Sequence, residues 1–147
     1  MSTPQPNPFA PPQSPVNDVP EASVAAAIAG LPVSDSWKAK FQLIEKAGGV
    51  KLPDAKALSS GERMKVMFNV LAFLFGPFYY LAKGMWKKAI SLFVVCVAAV
   101  VLIELLLEMV GYGQLGKALT YGSAAVFAIR ANIDYYKKMV LGQNGWW

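Results

Sequence analysis

Apolar and polar positions divide this chain into a polar first part and three apolar runs. Residues 66 to 82, VMFNVLAFLFGPFYYLA, carry no charge for seventeen positions, about 26 Å if helical at 1.5 Å per residue and just short of a membrane span. Residues 89 to 110, AISLFVVCVAAVVLIELLLEMV, are long enough to cross a hydrocarbon core of roughly 30 Å. After a glycine-rich turn at Gly111, Gly113 and Gly116, residues 118 to 129, ALTYGSAAVFAI, make a shorter run that extends to Ile133 if Arg130 snorkels. Gly76-Pro77 interrupts the first run. Proline removes a helical hydrogen bond and clashes with the preceding turn, so a break is expected there.

The polar part predicts short helices. EASVAAAIAG, residues 21 to 30, is helix-permissive and is stopped by Gly30 and Pro32. Trp37, Phe41 and Ile44 recur at i, i+4 and i+7 behind a cap at Ser34 or Ser36, and Gly48-Gly49 ends that helix. Its apolar stripe suits either packing on the rest of the protein or docking at a membrane surface. Ser59-Ser60-Gly61-Glu62 fits a capping box, so a helix starts near residue 60 and runs directly into the first apolar segment. Seven of the ten prolines lie in the first twenty residues, which predicts a disordered tail. Pro8, Pro11, Pro12 and Pro15 have the spacing of a PxxP docking peptide. With its first lysine at Lys38, this stretch does not read as a secretory leader. The expected organisation is a Pro-rich tail over 1–20, a cytosolic amphipathic segment over 21–65, a membrane domain over 66–138 and a C-terminal tail over 139–147.

Composition supports lipid as the surrounding medium. Hydrophobic residues reach 55% and charged residues only 16%, where a soluble domain has about a quarter charged. The net charge is +5, but Lys and Arg cluster at the ends of apolar runs, which suits lipid headgroups and argues against nucleic acid. Flanking charge also orients the chain. If residues 66 to 82 dip in and return at Gly76-Pro77, leaving two true spans, eight of nine flanking Lys and Arg lie inside and only Lys117 lies outside. Both termini are then cytoplasmic. The tip of such a re-entrant segment needs cover from the two spans, and the small residues Ala98, Ala99, Ala118, Gly122, Ala124 and Ala128 allow close approach or form a dimer face.

Candidate chemistry is sparse. The sequence has no His and a single cysteine, Cys96, so a Ser-His-Asp triad, a Cys-His dyad and a zinc cluster are excluded, and no cofactor or metal is expected. Glu104, in an apolar helix with Glu108 one turn on, marks either interfacial solvation or a cation, proton or salt-bridge site. Asn69 and Ser91 read as hydrogen-bonding partners of a neighbouring helix. Phe78, Tyr79, Tyr80, Trp86, Tyr135, Tyr136, Trp146 and Trp147 sit beside Lys residues as an aromatic belt would. An enzyme is not expected, since only Glu104, Glu108 and Asp134 remain for proton transfer. The expected role is a non-catalytic accessory or scaffold subunit that binds a membrane protein or a second copy. The alternative is a pore-forming or holin-like protein.

Trp37 and Phe41, the string Phe75-Gly76-Pro77 with Tyr79, the Gly84-Met85-Trp86-Lys87-Lys88 turn, and the closing Ala131-Asn132 and Tyr135-Tyr136 resemble a proteobacterial inner-membrane family of unknown function that includes the YigF-like proteins. The resemblance covers about 100 residues from position 34 onward. It implies a bacterial inner-membrane location, no assigned activity and no catalytic residue to carry over; the candidate functional residues are Asn69, Gly76, Pro77, Trp86, Lys87, Lys88, Glu104 and Glu108.

Overall fold

A computed structural model describes residues 21–147; the Pro-rich stretch and its PxxP spacing lie outside the described residues. Among these residues the chain is all-helical with no strand. The helices are α1 (Glu21–Ala29), α2 (Asp35–Lys46), α3 (Ser60–Met67), α4 (Val70–Phe75), α5 (Pro77–Ala82), α6 (Trp86–Met109) and α7 (Gly116–Met139). Single 3-10 turns lie at Gly49–Lys51, Ala55–Ala57 and Gly113–Leu115.

The capping box at α3 is complete. The Ser59 hydroxyl accepts from the Glu62 amide at 3.3 Å, and the Ser59 amide donates to the Glu62 carboxylate at 2.8 Å. Ser34 sits at the N-cap of α2 with extended backbone but makes no side-chain cap bond. The stripe on α2 packs on the protein: Phe41 and Ile44 are fully buried, and the Trp37 ring meets Tyr135 on α7 edge-on while Phe41 meets it at a tilt.

One expectation fails at Phe68. The helix beginning at residue 60 does not run on into the apolar segment; α3 stops at Met67, Phe68 is extended, and Asn69 starts α4 by accepting from the Ala72 amide at 3.0 Å. The reason lies in α7, whose Ala128 carbonyl takes the Asn69 amide at 3.0 Å and so turns the chain out of the helix. The second break is the expected one. Gly76 has φ +49° and ψ −123°, and Pro77 opens α5 at its first helical position, where its missing N–H costs nothing. α5 then folds back on α4, bringing Tyr79 to within 3.0 Å of Asn69. Chain entry and exit therefore lie on the same side.

α6 and α7 run antiparallel, with Glu104 beside Gly116 at one end and Lys88 beside Asp134 at the other. α7 is longer than the apolar run that predicts it, because Arg130 and Asp134 bond to each other and to neighbours instead of ending the helix. Among the described residues, α6 is the one helix long and apolar enough to cross a membrane. Its buried residues, Lys88, Ala89, Leu92 and Cys96, all lie in its first half. The tip of the α4–α5 turn reaches the level of Cys96 and Phe127, about 15 Å along α6 from Trp86. Beyond that level Leu102, Leu105 and Leu106 are all more than half exposed.

Gly76 tests the second break. A Cβ there would meet only Phe127, at 4.0 Å, so space is available and the backbone angles alone object. Gly76→Ala is expected to destabilise the purified protein by about 1–3 kcal/mol and Pro77→Ala by less than about 1 kcal/mol, read from denaturant unfolding followed by circular dichroism. Equal effects would show that the turn is held by packing and not by its conformation.

Candidate functional site

Helix breaks leave backbone carbonyls without partners, and in an apolar setting these must be satisfied from elsewhere in the protein. Asn132, fully buried on α7, does this for the end of α3. Its amide nitrogen lies 3.0, 2.9 and 3.3 Å from the carbonyl oxygens of Lys65, Val66 and Phe68. Its amide oxygen accepts from Asn69 Nδ2 at 2.8 Å and from Lys40 Nζ at 3.2 Å. Asn69 Nδ2 also donates to the Tyr79 hydroxyl at 3.0 Å.

Half a turn along α7 lies a second cluster. Asp134, 1% exposed, faces Lys88 Nζ at 3.4 Å, accepts from the Tyr80 hydroxyl at 3.1 Å and is reached by Arg130 Nε at 3.5 Å. One carboxylate thus serves two cations and a phenol. Lys88 Nζ is fully buried and makes no hydrogen bond of good geometry, so Asp134 is its compensating charge. Nearby, the Tyr136 hydroxyl donates to the Glu45 carboxylate, Lys138 donates to the Lys83 carbonyl at 2.5 Å, and the Ser91 hydroxyl donates to the Trp146 carbonyl at 2.6 Å. The C-terminal residues are drawn in as well, with Trp146 edge-on to Trp86 and Arg130 over the Trp147 ring.

Beside these clusters opens a groove of about 420 Å³ between α2, α3, α4 and α5. Lys40, Lys65 and Lys83 line it. Lys40 Nζ and Lys83 Nζ both stand over the Trp37 ring, 4.4 and 5.1 Å from its centroid. Burial, and then the Lys83 charge, hold Lys40 below the usual lysine range; burial and Lys138 do the same to Lys83.

The structure sorts the residues singled out from sequence. Asn69 and Lys88 enter the buried clusters; Gly76 and Pro77 form the turn. Trp86 is half exposed, with Lys87 Nζ 5.8 Å from its ring. Glu104 and Glu108 lie far from these, at the opposite end of α6; a Cβ on Gly116 would sit 3.1 Å from Glu104 Oε1. Two expectations are corrected. Lys88 does not face headgroups, because Asp134 draws it into the core. Tyr79, Tyr80, Tyr135 and Tyr136 form no belt: each is less than 9% exposed, their rings packing on Trp37, Phe41 and Phe127. Asn132, Asp134, Tyr80, Lys40 and Lys83 were missed as a group. Their one signal in the chain is Asp134 standing four residues from both Arg130 and Lys138.

The clusters predict an asymmetry. Asp134→Leu strands a buried ammonium and is expected to cost about 3–5 kcal/mol. Lys88→Met should cost less, because Asp134 retains Arg130 and Tyr80. The double substitution should recover much of the Asp134→Leu loss. Denaturant unfolding of the three variants measures all three values, and a double variant no more stable than Asp134→Leu would show that the pair is not coupled.

Comparison with known proteins agrees with this arrangement in extent. The chain is 29% identical over 122 residues to the uncharacterized protein YigF of Salmonella typhimurium and to that of Escherichia coli K12, covering 78% of this chain and 90% of each relative. No solved structure matches it. A family model described as a protein of unknown function, DUF2628, matches residues 20–140, a span from α1 to the end of α7 that contains both polar clusters and the groove, and the chain therefore belongs to the DUF2628 family.

Proposed function

We propose that the chain is a non-catalytic bacterial inner-membrane protein that serves as an accessory or scaffold subunit. In this reading α6 and α7 form a two-helix membrane hairpin, α4 and α5 re-enter from the cytoplasmic side, and both termini are cytoplasmic. The observation that carries it is the distribution of exposure along α6. Only Lys88, Ala89, Leu92 and Cys96, in its first half, are buried, while Phe93, Val94, Val101, Leu102, Leu105, Leu106 and Met109, spread along the helix, are half exposed or more. Such a face is not stable in water and is suited to lipid or another apolar helix.

The position of the α4–α5 tip supports the re-entrant arrangement. A depth of about 15 Å corresponds to the middle of a hydrocarbon core, and the irregular backbone at Gly76 is there backed by Phe127 on α7, as non-helical backbone at that depth requires. The polar clusters hold the helices in place and expose no reacting atom, which favours a binding role.

Three measurements test the reading. The protein is expected to stay in the membrane fraction after alkaline carbonate extraction; recovery in the supernatant would reject membrane insertion. In a Cys96→Ala background, Lys56→Cys is expected to react with a membrane-impermeant thiol reagent only after permeabilisation, and reaction in intact cells would reverse the orientation. Induced expression is expected to leave membrane potential intact, with a defined partner or second copy retained in mild detergent. Depolarisation would instead assign the pore-forming role.

A further inference from the structure

The groove between α2 and α4 combines two features that rarely occur together in a protein interior edge. Three ammonium groups, those of Lys40, Lys65 and Lys83, line it with no carboxylate among its walls, and two of them share one aromatic face at Trp37. The carboxylates of α2 and α3 are engaged elsewhere: Asp35 with Lys38, Glu45 with Tyr136, and Glu62 with Ser59 and Lys46. Lys138, from α7, adds further positive charge beside Lys83. Folding thus brings Lys40 and Lys83 together with no carboxylate beside them, Lys65 alone lying in the field of Glu62, an arrangement that a bound anion would relieve. Part of the lining is apolar, with Met64 and Leu71 exposed by 63% and 55%. Hydroxyls of Ser34 and Ser36 complete the polar side.

We propose that this groove binds an anionic phospholipid, its phosphate held by Lys40, Lys65 and Lys83 and its acyl chain laid along Met64, Phe68 and Leu71. A charged head and an apolar tail in one ligand match the basic and the apolar parts of the lining, and a soluble phosphate would leave the apolar part uncovered. The groove opens where α4 begins its descent toward Gly76, which is the headgroup level in the membrane arrangement proposed above. Supply of such a lipid depends on that arrangement, whereas binding is measurable in detergent, so the failure of one is distinguishable from the failure of the other.

The test uses the purified full-length protein in a nonionic detergent, titrated with phosphatidylglycerol, phosphatidylcholine and glycerol 3-phosphate and followed by native mass spectrometry. Phosphatidylglycerol is expected to bind at least about tenfold more tightly than either of the others. Lys40→Gln with Lys83→Gln is expected to weaken it roughly thirtyfold, while Lys51→Gln with Lys56→Gln, an equal loss of charge outside the groove, leaves it unchanged. Leu71→Ser should weaken phosphatidylglycerol and not glycerol 3-phosphate. Should the double variant fail to fold, Lys65→Gln, at an exposed position, is expected to weaken binding several-fold. Equal affinity for the two lipids, an equal loss in the Lys51/Lys56 control, or glycerol 3-phosphate binding as tightly as phosphatidylglycerol would overturn the proposal.

Discussion

A helix that stops within an apolar assembly leaves carbonyl groups that water cannot reach, and α3 stops in this way at Met67. Everything downstream depends on how those carbonyls are met. Asn132 meets three of them with one amide, which requires α7 to lie against the end of α3 at one register. That register places the Ala128 carbonyl on the Asn69 amide, so that the same helix both ends α3 and starts α4. It also sets Asp134 opposite Lys88 and Tyr80, joining α5 and α6 to the same strip of α7. An apolar side chain at 132 would leave the α3 carbonyls unpaired and reduce Asn69 Nδ2 to its bond with the Tyr79 hydroxyl, a cost of about 1–3 kcal/mol for each unpaired group.

The molecule is built with two unlike halves. Around the ends of α2, α3 and α7, aromatic rings and hydrogen bonds interlock, and the largest fully buried side chains, Tyr80, Phe41, Lys88 and Ile28, are found there. Toward the α6–α7 turn the two long helices have only each other, and large aliphatic side chains point outward. The division follows the reach of the α4–α5 turn, which ends midway along α6. A folded base and a bare helical tip are the two parts that the proposed membrane arrangement puts to different use.

Charge is handled in two ways within a few ångströms. Lys88 and Arg130 are compensated internally by Asp134, and their positions on α6 and α7 are thereby locked. Lys40 Nζ has an aromatic face and one amide oxygen, and Lys83 Nζ has aromatic faces, which compensate an ammonium group weakly. The first arrangement is structural. The second leaves unspent positive potential at the surface of a groove, and that difference separates the clusters that hold the fold from the one positioned to meet a ligand.

Much was legible in the chain because the relevant forces are local. The capping box at Ser59 lies within four residues, the Gly76-Pro77 break follows from backbone sterics at two positions, and the apolar length of α6 follows from composition. The resemblance carried by the FGPFY string and the KGMWKK turn led to the right family for the same reason, since such strings are contiguous. What the sequence left open were relations between distant residues. The aromatic stripe of α2 suited a membrane surface and a protein core equally, and only its contact with Tyr135 and Tyr136 decides for the core. Lys88 and the four tyrosines looked like boundary residues because position along an apolar run is all a linear pattern records; a carboxylate 46 positions away at Asp134 turns the lysine inward. The end of α3 at Met67 was hidden as well. Residues 60 to 75 carry no glycine or proline after Gly61, and the helix stops there because α7 supplies better partners for the backbone at Phe68 and Asn69 than the helix itself does.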